Sequence, residues 1–453
     1  MIGRSGRVHF VGMGGVGMSA IAKVLIEQGY EVSGSDLKRS RALTTLEAMG
    51  ATISLGHSEA NVVGAGLVVV SSAIPDANPE LRKARSLDLP VLGRGEALAE
   101  LLEASKSIVV AGTHGKTTTT SMIVSILRHA GMDPTYLVGG GLNDAGTNAR
   151  YGRGEFSVAE SDESDGSFLL LRPHIAVVTN IEADHLDYWS SLAEIRAAFQ
   201  RFVGSSDPSG ASVLPSVEKD LVESAPGRSI TFGDTGDVRA GNIVTQGEGA
   251  RFELSIGDAV VPVVLKVPGK HNVDNAAAAA AAAHAIGVSP EQIGMGLGTY
   301  RGVERRFQLR GTVNGVTVID DYAHHPTEIR STLAAARSGG WQRLIAVFQP
   351  HRYSRTAAFA KEFGSSFSDA DVVVVTDVYG AGERAVPGVT GKLVADAVCT
   401  NLRGRTVAYF PHRDEVIGYV RAQARPGDAV LTLGAGDVTL LGEELLMRWS
   451  SDG

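Results

Sequence analysis

Three features predict an α/β protein of three domains, each built on a mostly parallel sheet. Two glycine-rich turns, GMGGVG from Gly12 and GTHGKT from Gly112, each follow a strand-length apolar run and precede a helical pattern. Beyond residue 300, apolar runs alternate with polar or helical stretches, the pattern of an open parallel sheet. At 453 residues the chain is too long for one core.

The first domain, residues 1–104, starts with the strand-like run Val8 to Val11, the turn at Gly12, Gly14 and Gly17, a helix, and a second strand ending at Asp36. This GxGxxG spacing gives a tight turn, close backbone approach to a phosphate and helix packing, with Asp36 placed for a ribose hydroxyl. It is a Rossmann-like nucleotide unit. The runs LVVVSSAIP and LPVLGR supply further strands.

The central domain, 105–300, opens on SIVVAGTHGKTTTT. Lys116 follows Gly115 and precedes Thr117, so an ammonium, backbone N–H groups at a helix start and a hydroxyl for magnesium are assembled together. That suits the triphosphate of ATP, although GxxGKT is shorter than the general GxxxxGK[ST] loop. AESDESDGS brings Glu160, Asp162, Glu163 and Asp165 together as hard oxygen ligands. TNIEADHLDYW adds Asn180, Asp184, His185 and Asp187 just past an apolar strand, with His185 a candidate metal ligand. Residues 208 to 265 read as β-structure, and the alanine run after Asn275 reads as a helix.

The C-terminal domain, 301–453, is a second Rossmann-like sheet built from GVTVIDDYA, RLIAVFQP, DVVVVTDVY, TVAYF and DAVLTLGAG. A single cysteine, Cys399, excludes an internal disulfide framework and a cysteine metal site, and is expected to be buried. A net charge of −8 speaks against nonspecific nucleic-acid binding. No apolar run reaches membrane-span length and no signal segment opens the chain, so the reading is cytoplasmic.

Taken in order, GTHGKTTTT, the AESDESD loop, TNIEADHLD, GKHNVDNAAAA and DDYAHHPTE resemble the Mur ligases, which build the peptide stem of bacterial peptidoglycan. The resemblance covers nearly the whole chain and implies a central domain of the Mur ligase P-loop ATPase-like kind. HFVGMGGVGMSAIA, SSAIP and FQPHRYSRT resemble the alanine-adding branch, which implies ATP with Mg2+ or Mn2+, UDP-N-acetylmuramate and L-alanine. A monomer or homodimer is expected, with no nucleic-acid or membrane partner.

The resemblance also implies roles for individual residues. Gly112, Thr113, His114, Gly115, Lys116, Thr117, Thr118, Asn180, Asn272, Arg305, Arg306 and Asp320 would bind ATP. Thr117, Glu160 and His185 would hold the metal. Gly14, Gly15, Gly17, Asp36, His57 and Ser71 would serve the UDP-sugar. Tyr322, His324, His351, Arg352 and Arg355 would receive the amino acid. Lys116, His185, His324 and Arg352 would be catalytic, with a histidine relieving the incoming amine of its proton. Other family members carry a carbamylated lysine beside the metals, whereas no lysine occurs here between Lys116 and Lys219, as suits the alanine-adding branch. ASVLPSVEKD departs from the Asn-x-Asp-Asp turn of many relatives, and nothing is carried over there.

Three rivals remain open on sequence alone. A nicotinamide oxidoreductase would use GMGGVG and Asp36 but leaves Lys116, the acidic loop and both histidine motifs without a task. A recycling ligase that attaches a ready-made tripeptide would share the N-terminal half. A noncatalytic nucleotide-binding regulator would have lost the site residues, which are present here.

Overall fold

The computed structural model describes residues 6–143, 146–186, 188–247 and 249–451. Three sheets form in succession. The first has β1 (Arg7–Val11), β2 (Val32–Asp36), β3 (Thr52–Leu55), β4 (Ala65–Val70) and β5 (Val91–Gly93), all parallel in the order β3-β2-β1-β4-β5. Parallel strands need crossovers, and the helices Val16–Glu27, Arg41–Ala48 and Pro79–Ser86 are among those that supply them. The order reverses at β1 and β4, the crevice where such sheets bind ligands.

The second sheet contains β6 (Lys106–Ala111), β7 (Thr135–Leu137), β8 (Ala149–Arg150), β9 (Phe156–Glu160), β10 (Ile175–Val178), β11 (Ala211–Pro215), β12 (Arg228–Phe232), β13 (Val238–Gln246), β14 (Gly249–Ile256) and β15 (Ala259–Leu265). Its order is β15-β14-β13-β12-β11-β10-β6-β9-β7-β8, with β6 in register between β10 and β9. The expected β-structure of 208–265 is present as β11 to β15, and the alanine run lies in the helix Lys270–Ala285 with Ala276 to Ala283 buried.

The third sheet comprises β16 (Gln308–Val313), β17 (Val316–Asp321), β18 (Leu344–Phe348), β19 (Val372–Val375), β20 (Thr406–Tyr409) and β21 (Ala429–Leu433), ordered β16-β17-β21-β18-β19-β20. Every pair is parallel except β16 with β17. Alternate residues face opposite layers: Ile319, Ala346, Val373 and Leu431 enter one apolar cluster, and Val318, Val347, Val374 and Val430 the other. This period of two over both faces marks a sheet covered on each side.

The chain divides into two compact units. One comprises Met1–Ala240, Leu254–Val261 and Asn275–Tyr300, and the other Gly241–Glu253, Pro262–Asp274 and Arg301–Gly453. Within the first, a continuous apolar cluster runs from Val8 and Ile21 through Leu98 and Leu101 to Val109, Phe199 and Phe202. Polar ties accompany it: Lys23 Nζ donates to Thr147 Oγ1 at 2.5 Å, Tyr151 N to Glu27 Oε2 at 2.6 Å, and Arg94 to Asp165 Oδ2 at 2.8 Å. Cys399, expected to be buried, is exposed, because it lies on the outward side of the helix Gly391–Asn401. No described helix is long and apolar enough to cross a membrane.

Candidate functional site

The phosphate-type loop joins β6 to the helix Lys116–His129. Gly112 has φ +130°, and a Cβ there would lie 2.1 Å from Thr179 Oγ1, so only glycine fits. Gly115 precedes the helix in the left-handed conformation, φ +79°, and a Cβ on it would meet Asn275 Oδ1 at 2.3 Å. The loop is shaped from below by β10's continuation. Thr113 N donates to Asn180 O at 3.0 Å, His114 N to Asn180 Oδ1 at 2.9 Å, and Asn180 Nδ2 to His114 O at 3.0 Å. Asn180 thus holds both backbone polar groups of His114, a positioning contact that the sequence did not reveal. Thr117 and Thr118 are buried in the first helical turn.

Lys116 Nζ donates to Glu163 Oε2 at 2.7 Å and to the carbonyls of Gly112 at 2.6 Å and Thr113 at 3.2 Å. Burial alone would lower the Lys116 ammonium, but Glu163 and Asp162 outweigh it and hold it well above the ordinary lysine value. Burial pushes the Glu163 carboxyl up to about 7 against the pull of Lys116. Asp162 stays well below the ordinary carboxylate range, because Lys116 and His185 outweigh its desolvation.

Ligand atoms of Asp162, Glu163 and His185 lie within 4.8 Å of one another. Glu163 Oε1 is buried with no hydrogen-bond partner, which suits a cation. His185 adopts φ 52°, uncommon for a residue with a side chain, and its N–H donates to Asp184 Oδ1 at 2.7 Å. Trp189 Nε1 donates to the Glu163 carbonyl at 3.0 Å and fixes the acidic loop. Glu160, the expected acidic ligand, ends β9 facing Gly139, where a Cβ would come within 1.9 Å of its Oε1. It is not part of the three-residue group, which draws its acids from two and three positions further on. Asp187 lies outside the described residues.

At the C-terminal edge of the first sheet, Gly15 caps the helix Val16–Glu27. Asp36 Oδ2 accepts from Gly14 N at 2.9 Å and Oδ1 from Lys38 N at 3.3 Å, so this carboxylate ties the glycine turn to the end of β2. A Cβ on Gly12 would lie 3.1 Å from Ser71 Cβ, and one on Gly17 3.2 Å from Arg94 Cδ. His57 follows β3 and is held through Nδ1 by Ser35 Oγ at 3.1 Å. The expected sugar-nucleotide residues therefore gather after β1, β2, β3 and β4.

In the second unit, β17 and β18 both run parallel to β21, so DDYAHH and QPHRYSRT end at one sheet edge as expected. Two guanidinium groups lie over the Tyr322 ring, Arg305 at 5.0 Å and Arg306 at 5.1 Å from its centroid. His324 Nδ1 faces the Tyr322 carbonyl at 2.9 Å and Glu328 at 3.3 Å. Both are acceptors, so Nδ1 carries the proton and Nε2 is the basic nitrogen of the neutral ring. His324 and His351 meet edge to face at 5.7 Å, and His351 stacks on Tyr379 at 5.8 Å.

That stacking rests on backbone pairing: Tyr379 N donates to Pro350 O at 2.9 Å and Arg352 N to Tyr379 O at 2.8 Å. Burial, followed by Arg355 and Arg352, lowers His351 to about 4. Arg352, at φ 66°, opens the short helix that carries the buried Arg355. Neither Tyr379 nor Glu328 was anticipated: Tyr379 stands in no distinctive motif, and Glu328, although it closes DDYAHHPTE, is one of several acids there and has no role assigned.

Other expected ATP residues make contacts within this unit. Asp320 is fully buried and accepts from Thr432 Oγ1 and Thr439 Oγ1, each at 2.7 Å. Arg305 donates to the carbonyls of Gly434 at 2.6 Å and Gly436 at 3.1 Å. Asn272 Nδ2 donates to Pro268 O at 2.6 Å, closing the turn before its helix. Arg306 is 3.9 Å from Glu328.

Comparison with known proteins matches three family models in succession: Mur ligase family, catalytic domain, over residues 7–106; Mur ligase middle domain over 110–283; and Mur ligase, glutamate ligase domain over 305–436. The chain is 47% identical over 454 residues to a UDP-N-acetylmuramate--L-alanine ligase of Geotalea daltonii, covering 99% of each chain. It is 49% identical to the protein of the same name from Rubrobacter xylanophilus, covering 98% of this chain and 100% of that one. Among solved structures, a UDP-N-acetylmuramate-alanine ligase from Thermotoga maritima superposes with a TM-score of 0.84 at 30% identity, covering 99% of this chain and 100% of that one. A murein peptide ligase from Psychrobacter arcticus gives 0.72 at 27%, covering 98% and 99%.

Proposed function

The chain belongs to the Mur ligase family, and from that premise we propose that it joins L-alanine to the muramoyl carboxylate of UDP-N-acetylmuramate at the expense of ATP. The observation that carries the reading is Lys116, set at a helix N-terminus 2.7 Å from Glu163 beside Asp162 and His185. Full-length identity of 47% and 49% to L-alanine ligases supports the choice of amino acid. The domains proposed for it are 1–104, 105–300 and 301–453, and it would work in the cytoplasm as a monomer or homodimer.

Amide formation from a carboxylate and an amine is uphill in water, so the carboxylate is activated first. Its oxygen attacks the γ-phosphorus of ATP, ADP leaves, and an acyl phosphate results. Positioning and charge neutralisation do most of the work in such a transfer. With Thr113 N and His114 N held by Asn180, the N–H groups from Gly115 to Thr118 at the helix start cradle the phosphates, and Lys116 exchanges its carboxylate partner for a phosphate oxygen. Thr117, Asp162, Glu163 and His185 would hold magnesium or manganese, with Glu160 as a further donor. The bound ion would supply charge neutralisation at the transferring phosphoryl group.

The amine of alanine then attacks the acyl carbon, and the tetrahedral intermediate expels phosphate. Arg352 and Arg355 receive the alanine carboxylate. Of the two histidines, His351 is a weak base, since burial lowers it to about 4. His324 is the better acceptor for the ammonium proton, because the Tyr322 carbonyl and Glu328 leave Nε2 as its basic nitrogen. Incubation with ATP, magnesium, UDP-N-acetylmuramate and single amino acids should release phosphate and give an alanine adduct by mass; no adduct with any amino acid sinks the reading.

A further inference from the structure

Beside the small apolar cluster of Val11, Val62, Ala65, Val68 and Ala84 lies a carboxylate that the phosphoryl chemistry does not use. Glu80, in the first turn of the helix Pro79–Ser86, is fully buried. Removing an ionised carboxylate from water is strongly unfavourable unless donors surround it. Here they do. Ser35 Oγ donates to Oε2 at 2.5 Å, with His57 Nδ1 at 3.4 Å and His9 Nε2 at 3.5 Å from the same oxygen. Ser58 N at 3.2 Å and Asn61 Nδ2 at 2.5 Å donate to Oε1. Burial alone would raise this carboxyl, yet the bonds from His9, Ser35, Asn61 and Ser58 hold it down at about 2.

The network decides which nitrogen of His57 carries a proton. Ser35 has one hydroxyl hydrogen and gives it to Glu80, so toward His57 Nδ1, 3.1 Å away, Ser35 Oγ can only accept. Glu80 is likewise an acceptor. Both neighbours therefore require Nδ1–H, and the neutral ring keeps its lone pair on Nε2. The ring is 11% exposed and sits with Asp36 at the ligand edge of the sheet.

We propose that Glu80 is a positioning residue for the nucleoside end of the substrate, acting with Ser35 to present His57 Nε2 as a hydrogen-bond acceptor. An acceptor nitrogen repels a diphosphate, so its partner is a donor on the nucleoside, the pyrimidine imide N–H or a ribose hydroxyl. This rests on the reading of the first sheet as the sugar-nucleotide site.

Calorimetry with UDP-N-acetylmuramate on Glu80→Gln, on the milder Ser35→Ala, on His57→Gln and on Glu80→Gln/His57→Gln tests it, together with nitrogen-15 NMR of the histidine rings. Glu80→Gln and Ser35→Ala should each weaken binding about tenfold, leave binding of a nonhydrolysable ATP analogue unchanged, and remove the Nδ1–H signature of His57. The double variant should bind no worse than His57→Gln. Unchanged affinity in both single variants, additive losses in the double variant, or a His57 imidazolium in the wild-type complex overturns the proposal. Wild-type protein that binds no UDP-N-acetylmuramate overturns the sugar-nucleotide reading instead, while the free protein's ring signals still report the tautomer.

Discussion

Lys116 and Glu163 form a partly buried ion pair, 2.7 Å from Nζ to Oε2, and the other two ammonium hydrogens go to the carbonyls of Gly112 and Thr113. A phosphate must displace one of these partners to be held. Lys116→Ala should therefore cut turnover by about a thousandfold while affinity for UDP-N-acetylmuramate persists, as steady-state kinetics and calorimetry will show. Loss of sugar-nucleotide binding would contradict the separation of the two sites.

Gly112→Ala attacks the loop rather than the charge. The added carbon would fall 2.1 Å from Thr179 Oγ1 and 2.9 Å from Thr179 N, at a φ of +130°. The expected cost is about 3 kcal/mol, read as a lower thermal midpoint together with lost ATP binding. An unchanged midpoint would mean that the loop has room not evident in its backbone.

Arg355 is buried in the short helix after β18, where a planar fork can grip a carboxylate with two parallel bonds. Arg355→Lys keeps the charge and loses the fork. The KM for L-alanine should rise about tenfold, with the KM for ATP unchanged. A change in the ATP term alone would reassign the residue.

Acid should weaken the second unit through two histidines. Burial is the main cause that lowers both His271 and His351 to about 4, from 6.5 in the unfolded chain. Arg306 adds to the effect at His271 and Glu328 opposes it; Arg355 and Arg352 add to it at His351, where Glu383 opposes. As pH falls through 6.5 the unfolded chain takes up protons that the folded chain refuses. Stability is thus full above 6.5 and declines down to 4, by about 1.4 kcal/mol per pH unit for each ring. Urea unfolding of His271→Asn between pH 7 and 5 should show a shallower decline than wild type, and equal slopes would refute the assignment.

The sequence made the strands, the glycine turns and the charged loops legible, because apolar runs and turn residues report local structure directly. It was less informative about which member of a cluster faces the site. Four acids lie between Glu160 and Asp165, and only folding brings Asp162 and Glu163 to His185 while turning Glu160 toward Gly139. Asp320 and Asp321 are adjacent, yet the first is enclosed by Thr432 and Thr439, and the second accepts from Phe307 N and Ala323 N at 2.7 Å each. Glu80 and Tyr379 carry no motif and acquire partners only through contacts distant in sequence, and Asn275, although it stands in GKHNVDNAAAA, meets Gly115 only in the fold.

The ties between Lys23 and Thr147, Glu27 and Tyr151, and Arg94 and Asp165 join the first two sheets over one continuous apolar cluster. Such a block acts as a gauge. The span from His57 to the ammonium of Lys116 is set by folding, before any ligand arrives, so under the proposed function a sugar nucleotide would be measured end to end as well as recognised group by group. Analogues one bond longer or shorter between diphosphate and carboxylate should bind with the nucleoside seated and fail to be phosphorylated.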